Sequence, residues 1–130
     1  MRNLLKYLTI GLAMTFFVAP AAKASTGELE IQAALCLAGS EYLGKHFPSD
    51  KWKSEIAHRT VQLQEIVPNA SKREESLSRM REAFSKKSLK RAIKARDAKI
   101  SVEEAGKASA QIARNQCYHL DVYEAKKSCN

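Results

Sequence analysis

The sequence predicts an all-α fold, a compact antiparallel bundle of four to five helices held by a disulfide. Three observations carry that prediction. Serine-led capping signatures recur along the chain, apolar residues return at spacings of three and four, and no useful length alternates apolar with polar residues as a half-buried strand does. Glycine-rich hairpin turns, internal repeats and low-complexity tracts are absent from the sequence as well.

The chain opens with Arg2 and Lys6, continues in an apolar run from Tyr7 through Val18, and reaches a small-x-small site at Ala22-Lys23-Ala24. That order predicts a secretory signal peptide over residues 1–24, with cleavage before Ser25. The run is too short to span a bilayer. The expected product is an exported single helical domain, residues 25–130, localised to the periplasm or secreted.

Ser25 with Glu28 predicts the start of the first helix as a capping box. Leu29, Ala33, Cys36, Leu37 and Ser40 form one stripe, while Ile31, Ala34, Leu35 and Ala38 fill the other sides, so this helix is expected to be buried almost all round and to stop near Gly44. A loop from Gly44 to Asp50 follows, carrying His46 and Phe47 as exposed anchors. Ser49 or Asp50 caps the second helix, whose stripe is Trp52, Ile56, Thr60, Leu63 and Val67 and which Pro68-Asn69 ends. Trp52 is therefore expected in the core.

Ser71 with Glu74 predicts the third helix, with Leu77, Met80 and Phe84 on its inner face. The phase then slips, because Leu89, Ile93, Arg96 and Ile100 follow Phe84 by a five-residue step. A bend or break near Ser85 to Ser88 absorbs it. Ser101 with Glu104 opens one long last helix with Ala105, Ser109, Ile112, Ala113, Leu120 and Tyr123 facing inward.

Cys36 and Cys117 fall at the same height when the first and last helices lie antiparallel, so these two are expected to pair. A bridge closing so long a loop contributes about 4 kcal/mol in the chain-entropy model. Cys129 is left over, free or available for an intermolecular bond and hence a homodimer.

The 22 Lys and Arg outnumber the 14 Asp and Glu, and the excess is unevenly placed. From Lys72 to Lys99 there are eleven basic residues and four acidic ones; without residues 1–24, the rest of the chain is slightly acidic. Lys86, Lys90 and Lys94 recur every four residues with Lys87 and Arg91 beside them, which makes one positive stripe on a helix. Such a stripe suits a protein partner with an acidic surface, an effector or an apparatus subunit; an anionic envelope polymer or lipid is the other fit. Export and the lack of interleaved aromatics argue against nucleic acid.

No motif of a hydrolase, metalloprotease, thiol oxidoreductase or covalent haem protein occurs. Cys117 and His119 lie two apart on a helix, about 200° round, and cannot share a metal. His46 and His58 have no ligand at metal spacing. His119 near the end of the last helix resembles the haem histidine of exported four-helix cytochromes, but the first helix lacks the methionine which that family needs. No catalytic residue, metal or cofactor is expected, and the reading is of a non-enzyme.

In length, leader and a cysteine in both the first and last helices, the chain resembles the small exported immunity proteins that neutralise cell-wall amidases delivered by type VI secretion; Cys117, Asp121 and Tyr123 do not reproduce their C-terminal spacing. Leu35-Cys36-Leu37-Ala38-Gly39 resembles a segment of the TrbM and KikA conjugal-transfer proteins, without the cysteines that follow it there. Both likenesses imply binding functions. The expectation is an envelope inhibitor or immunity protein, with an accessory component of a conjugation or secretion apparatus as the alternative.

Overall fold

The computed structural model describes residues 26–129, so the leader and the Ser25 cap lie outside the described residues. Six helices occupy them: α1 (Thr26–His46), α2 (Asp50–Ile66), α3 (Ala70–Ala83), α4 (Lys86–Ala95), α5 (Val102–Ala113) and α6 (Asn115–Cys129). A single residue, Arg114, separates α5 from α6, so the described residues make five rods when those two are taken as one interrupted helix.

α1 is the axis of the bundle, touching α2, α3, α5 and α6. Its residues 33–40 are all buried, which is why its sequence shows no single apolar face. Small residues make this packing feasible. A Cβ on Gly39 would come within 3.0 Å of both the Ala110 carbonyl oxygen and the Ala113 Cβ, so hydrogen at that position lets α5 close on α1. α1 also runs past Gly44 to His46, two residues beyond the expected stop, and shortens the following loop.

Local chemistry sets the other boundaries. Ser49 caps α2, its hydroxyl accepting the Trp52 N–H at 3.2 Å. α3 departs from expectation: Asn69, not Ser71, is its cap, accepting the Lys72 N–H at 2.9 Å. Asparagine is as good a cap as serine, and Asn69 directly follows the proline that ends the preceding segment. The expected break after Phe84 is present, with Ser85 accepting the Ser88 N–H at 3.2 Å to start α4. Ser101 caps α5 through the Glu104 N–H at 3.1 Å, and its hydroxyl also donates to Glu104 Oε1.

α4 ends in a Schellman arrangement, Ala98 N–H to the Ile93 carbonyl and Asp97 N–H to the Lys94 carbonyl. Asp97 takes the left-handed position at φ 50°, where glycine is usual. Arg96, expected on the inner face of this segment, is exposed as a result. The long last helix is interrupted as well, at Arg114, where α5 ends and α6 begins. Tyr123, expected to face inward, is 38 % exposed.

Two cores result. The larger one gathers Leu35, Leu37, Leu43, Leu63, Leu77, Phe84 and Leu120 around α1, and the Cys36–Cys117 disulfide crosses it between α1 and α6 with a Cα separation of 5.1 Å. The smaller one lies between α4 and α5, where Leu89 and Ala105 are packed by Ala92, Ile93, Ala98, Ile100 and Val102.

Candidate interaction surface

α4 is built to show its charges. Leu89, Ala92 and Ile93 turn toward α5, which leaves Lys86, Lys87, Lys90, Arg91 and Lys94 all exposed on the outer side. None of the five makes an ion pair with another described residue. Elsewhere acids meet bases, as where Arg81 forks onto Glu41 at 2.9 and 2.7 Å. The stripe runs against the helix dipole too. Lys86 and Lys87 fill the first turn, where the macrodipole is positive, and no acid accompanies them there.

His46 and Phe47 lie at the end of the bundle from which α4 is carried. Lys107 on α5 places its Nζ 4.9 Å from the centre of the Phe47 ring, while Ala105, two residues earlier, packs under Leu89 of α4. Two residues on a helix differ by about 200°, so Phe47 and α4 flank α5 from opposite sides. Phe47 is 48 % exposed. His46 is half-buried, stacked on Tyr42 with ring centroids 4.4 Å apart, and Tyr42 packs on Phe84. Of the two expected loop anchors, only Phe47 therefore presents its ring to solvent.

Between α2 and α6 lies a polar clamp that sequence reasoning missed. Arg59 on α2 is 5 % exposed and donates to Glu55 and Gln62 on its own helix and to Asp121 of α6 at 2.7 Å. Arg114 lies against the Trp52 ring at 5.3 Å and reaches Ser40 Oγ at 3.1 Å, Cys117 Sγ at 3.0 Å and Glu55 Oε1 at 3.3 Å. Trp52 itself is half-buried against the main core. Burial alone would raise the Glu55 pKa; hydrogen bonds and charge from Arg59 and Arg114 outweigh it and hold the carboxyl below its ordinary value. For Arg59, burial opposes the charge, and the Asp121 and Glu55 carboxylates more than restore it. A signal was present in the sequence, since position 59 lies on the spacing Trp52, Ile56, Leu63 and should have read as an inward arginine needing acids.

The remaining candidates are dispersed. Cys129 is exposed, unpaired with another described residue, at the end of α6. His58 and His119 are exposed on α2 and α6, and Cys117 points inward to its disulfide while His119 points out. Among the described residues there is no group of three His, Cys, Asp or Glu at metal-binding distance, and no helix long and apolar enough to cross a membrane. The chain matches no known family model, curated protein or solved structure.

Proposed function

We propose that this chain is an exported helical binding protein of the bacterial envelope, an inhibitor or immunity factor that engages an acidic protein surface through α4. One observation carries the reading: α4 holds five exposed cations without counter-ions, two of them at the helix end where the dipole opposes them. A departure from local stability rules with no compensating contact is the pattern expected where function sets the residues. An acidic partner supplies the missing counter-charge. The rigid support is consistent with this role, because α4 rests on α5 and a disulfide-bridged core holds α5 in place.

The basic leader and the Cys36–Cys117 bond support export to an oxidising compartment. Charge on α4 mainly accelerates encounter, and an apolar anchor such as the Phe47 ring then slows release. Reversing Lys86, Lys90 and Lys94 to glutamate should leave the helical circular dichroism unchanged and abolish recovery of a stoichiometric partner from envelope extract at low salt. Wild-type capture should weaken as salt rises. Capture by the triple variant equal to wild type would reduce α4 to a solvated face.

The exposed Cys129 favours a second reading, an accessory subunit of a conjugation or secretion apparatus joined through an intermolecular bridge. A dimer on non-reducing gels that disappears in Cys129→Ser supports it; a monomer in both removes it.

A further inference from the structure

α4 is a ridge open on both flanks. In the main it touches only α3 and α5, and it turns Leu89, Ala92 and Ile93 into the small core shared with α5. At a helical turn of about 100° per residue, Lys86, Lys90, Lys94, Lys87 and Arg91 fan in that order over about 140° of the other side. No other residue of α4 projects into that arc, so it holds no apolar side chain to anchor a folded surface. Phe47 cannot serve there, since it lies across α5. Residue type adds a second observation. Where this fold holds a carboxylate in place it uses arginine: Arg59 on Asp121, Arg81 on Glu41, Arg114 on Glu55. On the ridge, only Arg91 is an arginine and the other cations are lysines. A guanidinium fork suits a planar carboxylate at a fixed site, whereas an ammonium is a point charge on a flexible stem that donates in any direction.

Taking α4 as the docking face proposed above, we infer that what it binds is a flexible acidic segment of the partner, a run of Asp and Glu that wraps the ridge. A flat acidic face meets the crest, Lys90, Lys94 and Lys87, and leaves Lys86 and Arg91 on the two flanks unanswered. A flexible chain follows the arc and answers both. Its carboxylates have no fixed positions, which suits lysine better than arginine forks. Such a segment is rich in like charge and poor in apolar residues, so it stays unfolded until bound and needs no apolar anchor from α4. The row from Lys86 to Lys94 rises about 12 Å along the axis, a length that about four extended residues cover. Attraction through several exposed charge pairs without an apolar centre gives weak, fast and salt-sensitive binding.

The probe is a capped polyglutamate peptide of about twelve residues, titrated into the isotopically labelled protein by heteronuclear NMR. It should shift the α4 amides with a dissociation constant on the order of 0.1 mM at low salt and release as salt rises. Lys86→Gln and Arg91→Gln, on opposite flanks, should each weaken it about threefold; an effect from only one of them overturns wrapping. Arginine in place of Lys86, Lys90 and Lys94 keeps the charge and should leave affinity within about twofold, whereas a gain of about tenfold would mean carboxylates held in fixed geometry and overturn the inference. The same glutamates on a peptide stapled as a helix present one rigid face and should bind more weakly. Tighter binding of the staple overturns the inference in favour of a folded acidic surface, and tighter binding of inorganic polyphosphate of equal charge overturns it in favour of a phosphate polymer. No shift with polyglutamate also overturns it. Failure of the docking face itself is read separately: an envelope partner still lost on reversing Lys86, Lys90 and Lys94 to glutamate keeps α4 as the site and removes only the flexible chain.

Discussion

The two halves of this bundle are stabilised in opposite ways. Around α1, charge is enclosed and answered: Arg59 has Glu55, Gln62 and Asp121, and Arg114 has Glu55, Ser40 and the disulfide sulfur. On α4, charge is exposed and unanswered, and only a small cluster centred on Leu89 and Ala105 holds the helix down. The first half is cross-linked by contacts between residues far apart in sequence, 62 for Arg59 with Asp121 and 81 for the disulfide. α4 touches only its neighbours α3 and α5 in the main. One half is scaffold, and the other is a surface carried by it.

The largest effect should come from the bridge. Cys36→Ser and Cys117→Ser are each expected to lower the unfolding free energy by about 4 kcal/mol, with the double variant no worse, since both remove one shared bond. Denaturant titration measures it. Additive losses would mean that each cysteine contributes separately, and loss of α4 hydrogen-exchange protection before that of α1 would still keep the two halves distinct.

Next is the clamp. Arg59→Met retains the buried stem but strands Glu55 and Asp121, and should cost about 3 kcal/mol, toward the low end for a broken buried pair because the Asp121 side chain is 54 % exposed. pH reads the same network. The folded-state pKa of Glu55 is lowered from 4.5, so the folded protein holds its proton less tightly than the unfolded chain does. Its stabilising contribution is therefore complete above about pH 4.5 and is lost as pH falls through that value toward the lower folded pKa. Acid titration of Glu55→Gln should lack this component. A wild-type curve superimposable on the variant's below pH 5 would contradict the clamp.

Much of the scaffold was legible because its signals are local. Ser49 and Ser101 announce helix starts by their own side chains, and the five-residue step after Phe84 announces the break that Ser85 turns into a new helix start. Cysteine pairing followed from helix order. What escaped was set by distant partners: Arg59 reads as one more cation until Asp121 is beside it, and Arg114 interrupts the last helix without glycine or proline to mark it. Asn69 was hidden by its own versatility, ending one segment and capping the next. The stripe on α4 was legible in full, residue by residue, whereas its dependence on a separate small core was not.

That small core gives a more local break. Leu89→Ala should cost about 2 kcal/mol, at the low end for a buried leucine because so few elements surround it, and the loss should stay local. Hydrogen exchange is expected to accelerate in α4 and at the start of α5, with the amides of α1 around Leu35 unchanged. Uniform acceleration throughout the chain would show that α4 unfolds only with the whole and would merge the two halves into one cooperative unit.

The smallest effect has the opposite sign. Lys86 and Lys87 occupy the first turn of α4, where each cation opposes the helix dipole, and glutamate there would favour it by about 0.5 kcal/mol per site at low salt. The double variant should therefore bind its partner less well yet protect α4 amides better, and added salt should erase the gain in protection. This pairing of lost affinity with gained stability separates a surface kept for binding from one kept for solubility. If Lys86→Glu with Lys87→Glu lowers α4 protection instead, the lysines have a structural role on the helix, and its charges cannot be read as reserved for a partner.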